Sequence, residues 1–283
     1  MKGLILLGGT GSRLKPVTTS VNKHLLPIYD KPLFYYPLST LMLMGIRDIG
    51  FVSDSNSLKL FENHLGDGSR FGCKFTFINQ EQPVGIADGI RSAGPFLEGH
   101  SFTLILGDNF FYGVGFGHSL TSKKFNGGAK IFGYRVSNPE AYGVIKLENE
   151  KIIDIVEKPL KYVSSIAITG LYQFDDLALK LVAELEPSIR NEFEITDLIK
   201  KYHLQNNLNF ELLPRGTAWL DTGSADSLLE ASTFVRVIEQ RQGLKIGCLE
   251  EIAYRNNWIT RAQLLEISSK NIGVEYYNYL QNI

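Results

Sequence analysis

Four apolar residues, Leu4-Ile5-Leu6-Leu7, run without a break and stop at Gly8-Gly9-Thr10-Gly11-Ser12. A short, continuous apolar run has no polar face to turn toward water. It fits a strand covered on both sides, the situation of a parallel sheet between helical layers. The pattern recurs in the first half of the chain. Asp48–Ser53 carries Ile49, Phe51 and Val52, residues 74–78 alternate around Phe75 and Phe77, and Phe102–Leu106 ends at Gly107-Asp108. Between these runs, residues 37–44 and 85–93 have helical spacing. Strand and helix in alternation predict a βαβ architecture with right-handed crossovers.

The middle of the chain reads differently. Residues 129–136, Gly143–Glu148 and Lys151–Glu157 are strand-like pieces joined by short turns, so the sheet is expected to gain antiparallel members. Residues 175–203 turn helical, with Leu177, Leu181, Val182 and Leu185 suitably spaced. After Asp221-Thr222-Gly223 the chain looks helical almost to its end. Ser224 or Asp226 could cap a helix over 228–239, and Thr260 one over 261–268. No internal repeat or low-complexity linker interrupts it. The expected organisation is an α/β core over residues 1–223 with a helical appendage over 224–283.

Composition removes several classes of function. Lys plus Arg number 29 against 30 Asp plus Glu, a net charge of −1, so no general grip on nucleic acid or an anionic membrane is expected. Two cysteines, Cys73 and Cys248, are too few for a disulfide scaffold or a Cys-based zinc site. No stretch approaches the roughly 20 apolar residues of a membrane span. Residues 4–7 are too few for a signal-peptide core, so a cytosolic, soluble protein is expected.

Phosphate, if bound, must then be held locally, and the glycine loop is the place to look. Glycines allow backbone N–H groups to converge on an anion. A dinucleotide-binding loop needs a third glycine where Leu14 stands, and no Gly-Lys-Ser/Thr closes the loop as a Walker motif requires. A tight turn without a ligand is the plainer reading. Arg13 inside the loop and Lys23 just after it favour phosphate, because a phosphoryl group in transfer needs cations.

The series from Gly8 to Leu14 with Pro16, then Lys23-His24-Leu25-Leu26-Pro27 and Tyr35-Tyr36-Pro37-Leu38, resembles the sugar-1-phosphate nucleotidyltransferases, in particular their glucose-1-phosphate thymidylyltransferase branch. The likeness continues in order through Leu106-Gly107-Asp108-Asn109, Tyr142-Gly143-Val144, Glu157-Lys158-Pro159, Thr169-Gly170-Leu171-Tyr172, Glu194-Ile195-Thr196-Asp197, Ala218-Trp219-Leu220-Asp221 and Glu250-Glu251-Ile252-Ala253-Tyr254-Arg255. It implies a mixed, largely parallel Rossmann-like sheet flanked by helices. It also implies a Mg²⁺-dependent transfer of a thymidylyl group from dTTP to α-D-glucose 1-phosphate, giving dTDP-glucose and pyrophosphate, as a first step toward dTDP-rhamnose-type sugars. Such displacement at phosphorus is mostly positioning and charge neutralisation, so the lack of a nucleophilic side-chain triad is no objection.

By resemblance, Gly8, Gly9, Thr10, Gly11, Ser12, Arg13, Lys23, His24, Gln80, Gly85 and Asp108 bind the nucleotide, Gln80 and Gly85 at the base. Gly143, Glu157, Lys158 and Ile168 take the sugar phosphate, and Asp108 and Asp221 hold the metal. Arg13, Lys23, Asp108 and Lys158 carry the chemistry. Glu251 and Arg255 mark a regulatory site in a homotetramer. Three stretches depart from the family: His24 replaces a usual Gln, the base loop reads Gln80-Glu81-Gln82-Pro83-Val84-Gly85-Ile86-Ala87-Asp88-Gly89, and Ser165-Ile166 precedes Ala167. These changes bear on which sugar and base are used. UTP, another hexose 1-phosphate, or a catalytically silent nucleotide-sugar sensor are the alternatives.

Overall fold

The computed structural model describes residues 1–9, 11–122 and 124–283, with the backbone alone of His118, Ser119 and Ser122. The expected contact from Thr10 therefore lies outside the described residues. The strands are β1 (Lys2–Leu6), β2 (Pro27–Ile28), β3 (Lys31–Pro32), β4 (Asp48–Ser53), β5 (Lys74–Asn79), β6 (Phe102–Leu106), β7 (Asn109–Tyr112), β8 (Ala129–Arg135), β9 (Gly143–Glu148), β10 (Lys151–Glu157), β11 (Ile166–Phe174), β12 (Leu208–Leu212) and β13 (Ala218–Asp221). The main sheet runs β10-β9-β11-β6-β1-β4-β5, with β8 on β11 and β12 on β8. Neighbours from β6 through β1 and β4 to β5 are parallel, while β11 pairs antiparallel with β6, β8 and β9. This is the mixed α/β sheet that the sequence predicts.

The helices are α1 (Tyr35–Leu43), α2 (Ser55–Leu65), α3 (Ile86–Ser92), α4 (Gly94–Leu97), α5 (Phe116–Ser122), α6 (Leu177–Ala183), α7 (Ile195–Leu204), α8 (Ala225–Gln242), α9 (Leu249–Arg255), α10 (Arg261–Ser269) and α11 (Glu275–Gln281). Of the two candidate caps for α8, Ser224 accepts from the Ser227 N–H while the Ser227 hydroxyl accepts from Ser224 N–H; Asp226 lies inside the first turn. Thr260 and Gln263 form the same reciprocal cap on α10. Such caps satisfy N–H groups that the helix itself leaves free.

Strand β1 shows why its sequence had to be apolar throughout. Leu4 packs with Val52, Ile90 and Leu198 on one face, and Ile5 packs with Phe51, Leu41 and Phe61 on the other. Strand β11, nine residues and all buried, crosses the centre of the sheet; the sequence pattern does not single it out, because Thr169, Gly170 and Gln173 blur the apolar run. The helical reading over 175–203 is interrupted, since residues 184–194 form an irregular loop between α6 and α7. That loop reaches the functional site.

The C-terminal helices pack directly on the core. Leu249, Ile252, Leu264 and Leu280 belong to the same apolar cluster as Ile5 and Phe51. Helix α8 lays Ala231 and Val235 on Ile28, Tyr36 and Phe110. A buried ionic knot closes this contact: Glu239 accepts from Lys31 at 3.1 Å, from Lys245 at 3.0 Å and from the Ile246 N–H at 2.8 Å, and both lysines also pair with Asp30. Removing one partner of such a knot strands a buried ammonium. Glu239→Ala is expected to lower unfolding free energy by about 3–5 kcal/mol in chemical denaturation. A loss below about 1 kcal/mol would show that water reaches Lys31.

Candidate active site

The glycine loop leaves β1 with Gly9 at φ +110° and Gly11 at φ +56°, conformations that only glycine adopts without strain. They turn the chain sharply into a short helical turn, Ser12–Leu14, that buries Leu14 and exposes Arg13. The guanidinium reaches across to the far end of the sequence. A Cβ built on Gly223 would lie 3.0 Å from Arg13 Nη2 and 3.3 Å from Asp221 Oδ1, so the three meet in one place.

Asp108 arrives there from the other side. It follows β6 at the turn into β7, and β7 pairs antiparallel with β13 so that Asn109 stands opposite Asp221. The Thr222 N–H and hydroxyl both donate to the Asp108 carbonyl, at 3.1 and 2.8 Å. Asp221 thus ends a two-stranded ribbon and not a strand of the main sheet. Asn109 fixes the junction: its Oδ1 accepts from Trp219 Nε1 at 2.6 Å and from the Gly170 N–H at 3.0 Å, and its Nδ2 donates to Asp108 Oδ1 at 2.9 Å.

The two carboxyls titrate apart. Burial alone would raise Asp108, but the Lys23 ammonium bonded to Oδ2 outweighs it and holds the group at about 2. Burial and the neighbouring Asp108 charge push Asp221 up to about 6. The donor set suits a hard divalent cation, which takes one or two carboxylates and completes its shell with phosphate oxygens and water. Among the described residues no cluster of three His, Cys, Asp or Glu offers a rival metal site.

The expected sugar-phosphate residues converge beside this acid pair. Gly143 opens β9 opposite Glu157, which closes β10. A Cβ on Gly143 would come within 3.0 Å of Glu157 Oε2 and of Thr196, and 3.7 Å of Ile168. Lys158 follows with φ +41°, its N–H donating to the Tyr142 carbonyl at 3.1 Å. A non-glycine residue held at positive φ stores strain, and such strain collects at functional sites. Burial and the nearby Glu194 raise the Glu157 carboxyl above its ordinary range. Arg190, from the 184–194 loop, donates to Glu194 at 2.8 Å and lies 3.4 Å from Glu157.

Together these groups line a cleft of about 850 Å³ whose walls include Arg13, Asp108, Asp221, Gly143, Glu157 and Lys158. The residues expected at the nucleotide base sit behind the glycine loop. Gln80 is buried with its Oε1 beside Gly8, and Gly85 lies against the Phe193 backbone. His24 is 1% exposed and packs under Gly107. Burial and Lys23 lower its pKa to about 3, so the ring is neutral, with Nδ1 donating to Asn22 Oδ1 at 2.8 Å. It replaces a neutral glutamine without adding a charge. Glu251 and Arg255 are elsewhere, on the wall of a second cleft of about 640 Å³ between α1, β7 and α9. Asn109, Arg190, Thr196 and Trp219 join the site without having been assigned a role from sequence; only the Gly-Asp-Asn motif could have flagged Asn109.

A family model described as "Nucleotidyl transferase" matches residues 2–237. Glucose-1-phosphate thymidylyltransferase from Mycobacterium tuberculosis is 44% identical over 281 residues, covering 99% of this chain and 98% of its own length. The protein of that name from Neisseria meningitidis is 44% identical over 282 residues, with the same coverages. The chain belongs to the nucleotidyl transferase family, in its glucose-1-phosphate thymidylyltransferase branch. A crystal structure of a candidate glucose-1-phosphate thymidylyltransferase from Bacillus anthracis, in complex with sucrose, superposes with a TM-score of 0.77 at 36% identity, covering 83% of this chain and 95% of that one. UDP-glucose pyrophosphorylase complexed with UDP-glucose gives 0.73 at 25% identity, covering 84% and 98%. This nucleotidyltransferase has no helix, among the described residues, that is long and apolar enough to cross a membrane.

The raised pKa of Asp221 has a definite sign. A carboxyl that titrates near 6 when folded and near 3.8 when unfolded favours the folded state at low pH, and that advantage is lost as pH rises through about 6. For this nucleotidyltransferase without divalent ions, Asp221→Asn is expected to be more stable than the parent by about 1–2 kcal/mol at pH 8, allowing for partial exposure. The difference should shrink at pH 5. Equal gains at both values, read by chemical denaturation, would show that charge is not the cause.

Proposed function

We propose that this chain transfers a thymidylyl group from dTTP to α-D-glucose 1-phosphate and releases pyrophosphate. The supporting observation is the convergence of Arg13, Asp108, Lys158 and Asp221 on one cleft, with Gly143, Glu157 and Ile168 beside them. A phosphate oxygen of the sugar attacks the α-phosphorus, the bond to the bridging oxygen breaks, and its electron pair leaves with pyrophosphate. No protein nucleophile is needed; the residues hold the reactants in line and balance charge.

In this reading Lys158 binds the sugar phosphate, and Glu157 accepts from sugar hydroxyls with Arg190 steadying it. Arg13 engages the departing phosphates, where a guanidinium can contact two oxygens at once. Lys23, bonded to Asp108 in the free protein, is within reach of an α-phosphate that competes for its ammonium. Gly8, Gly9, Gly11 and Ser12 offer backbone donors, and Gln80 and Gly85 contact the base. Asp108 and Asp221 would hold Mg²⁺, which supplies neutralisation of phosphate charge. The second cleft is read as a regulatory nucleotide-sugar site with Glu251 and Arg255, in a cytoplasmic homotetramer whose subunits meet through residues 224–283. Tyr279 and Arg255 already anchor Glu251, at 2.6 and 2.7 Å.

Pyrophosphate release tests the reading directly. Asp108→Asn is expected to abolish it, Arg13→Ala to lower kcat about 100-fold, and Lys158→Ala to raise KM for glucose 1-phosphate about 10- to 100-fold. Binding of dTTP without any release from the parent protein would overturn the proposal. For the second cleft, Arg255→Ala is expected to weaken inhibition by a downstream dTDP-sugar about tenfold or more; one binding event by calorimetry in the parent would remove that role.

A further inference from the structure

Gln80 lies one residue past β5 and is 6% exposed. Its Nε2 donates to Asp88 Oδ2 at 2.7 Å. Its Oε1 points the other way, where a Cβ on Gly8 would meet it at 3.3 Å, and among the described residues no donor reaches it. The two ends of a glutamine amide have nearly the same shape and opposite hydrogen-bonding character. A carboxylate accepts hydrogen bonds and donates none. Whatever faces Asp88 must therefore be the NH₂ group.

Asp88 is itself held in place. It stands in the first turn of α3, and its Oδ1 is 3.7 Å from Arg91 Nη1. The Arg91 guanidinium covers the Phe193 ring at 4.2 Å and donates to the Val182 carbonyl at 3.3 Å. Phe193 then closes on the base loop, its N–H donating to the Val84 carbonyl at 2.8 Å and its carbonyl accepting from the Ala87 N–H at 3.2 Å. The carboxylate is placed by the first turn of α3 and by the Arg91 guanidinium, which a second loop holds in turn, and in any orientation it offers Gln80 an acceptor only.

We propose that Asp88 is a positioning residue for base selection: by holding the Gln80 NH₂, it presents the Gln80 carbonyl toward the glycine loop as an acceptor, which suits the imide N–H of thymine or uracil and opposes cytosine. The proposal rests on the reading of Gln80 as the base contact. At the centre of their pairing edges, thymine and uracil carry N3–H, a donor, whereas cytosine carries an unprotonated N3, an acceptor. Two acceptors facing each other leave both unsatisfied once water is excluded, and sites built on such mismatches discriminate strongly. The plainer role, a first-turn acid paired with Arg91, would affect every nucleotide alike.

The test measures kcat/KM for dTTP and for dCTP in the parent, Asp88→Asn, Gln80→Ala and the double variant, with glucose 1-phosphate held constant. Where dCTP turns over slowly, its inhibition constant against dTTP gives the same comparison. Asparagine is isosteric but can donate, so the amide is free to turn. Asp88→Asn is expected to lower the dTTP:dCTP ratio about tenfold or more, or about 1.4 kcal/mol. Asp88→Glu, which keeps an acceptor-only group, should retain more of the ratio. Gln80→Ala should erase the same discrimination, and the double variant should lose no more than Gln80→Ala alone. If Gln80→Ala lowers the ratio while Asp88→Asn slows both nucleotides equally, the role of Asp88 is overturned and the base contact stands. If Gln80→Ala leaves the ratio unchanged, the base contact itself fails and the inference falls with it.

Discussion

The active cleft depends on one side-chain amide. Asn109 receives two N–H donors on its oxygen, from Trp219 on β13 and Gly170 on β11, and gives one N–H to the Asp108 carboxylate. Those three partners belong to segments that meet only in the folded chain. With Asn109 3% exposed, every one of these bonds is shielded from competing water. Loss of the amide would leave the Gly170 N–H and the indole N–H unpaired inside the protein. It would also take away the N–H that holds Asp108 Oδ1, leaving only Thr222 on the Asp108 carbonyl to tie that residue to the ribbon.

Around that junction the charges are arranged in an order that a phosphate can rearrange. Asp108 is satisfied by Lys23, while Asp221 is opposed by Asp108 and only partly balanced by Arg13 and Lys158. The free protein therefore holds Asp221 beside a second carboxylate, with Arg13 reaching the same spot from the glycine loop. Glu157 repeats the logic on a smaller scale, raised by burial and by Glu194 and steadied by Arg190. The strained Lys158 backbone belongs to the same economy: the ammonium stands close enough to Asp221 to lower its pKa because the chain turns at positive φ directly after β10.

Much of this was legible in the sequence, for reasons that differ by element. Strand β1 is a continuous apolar run and β4 and β6 are short, mostly apolar segments bounded by turn residues, the pattern of strands buried on both faces. Gly9 and Gly11 announce a turn that other residues cannot make, and Ser224 and Thr260 announce helix starts by local chemistry. Strand β11 is less legible because Thr169, Gly170 and Gln173 break its apolar run, although its neighbours on both sides bury all nine residues. The ribbon of β7 and β13 is hidden for another reason: nothing in Ala218–Asp221 states that its partner lies at 109–112. Arg190 and Phe193 are hidden inside a stretch whose spacing reads as helix, although the segment is a loop pressed against Val84 and Ala87. His24 shows a different limit: its neutrality follows from burial and from Lys23, neither of which the sequence displays.

Asn109 and Gln80 are controlled in the same way. Each amide has a neighbour that can only donate or only accept, so each has one orientation available to it. The Trp219 indole N–H and the Gly170 N–H can only donate, which turns the Asn109 oxygen toward them and its NH₂ toward Asp108. Asp88 can only accept, which turns the Gln80 oxygen toward the glycine loop. Lys23 and Glu157 differ, because each is bonded in the free protein to a group that a phosphate or sugar hydroxyl could replace. Under the proposed function, fixed amides beside exchangeable charges divide the work of recognition. The amides carry information about shape and hydrogen-bond polarity at no reorganisation when a ligand arrives, while the ion pairs supply charge that becomes available only when a phosphate takes the place of their present partners.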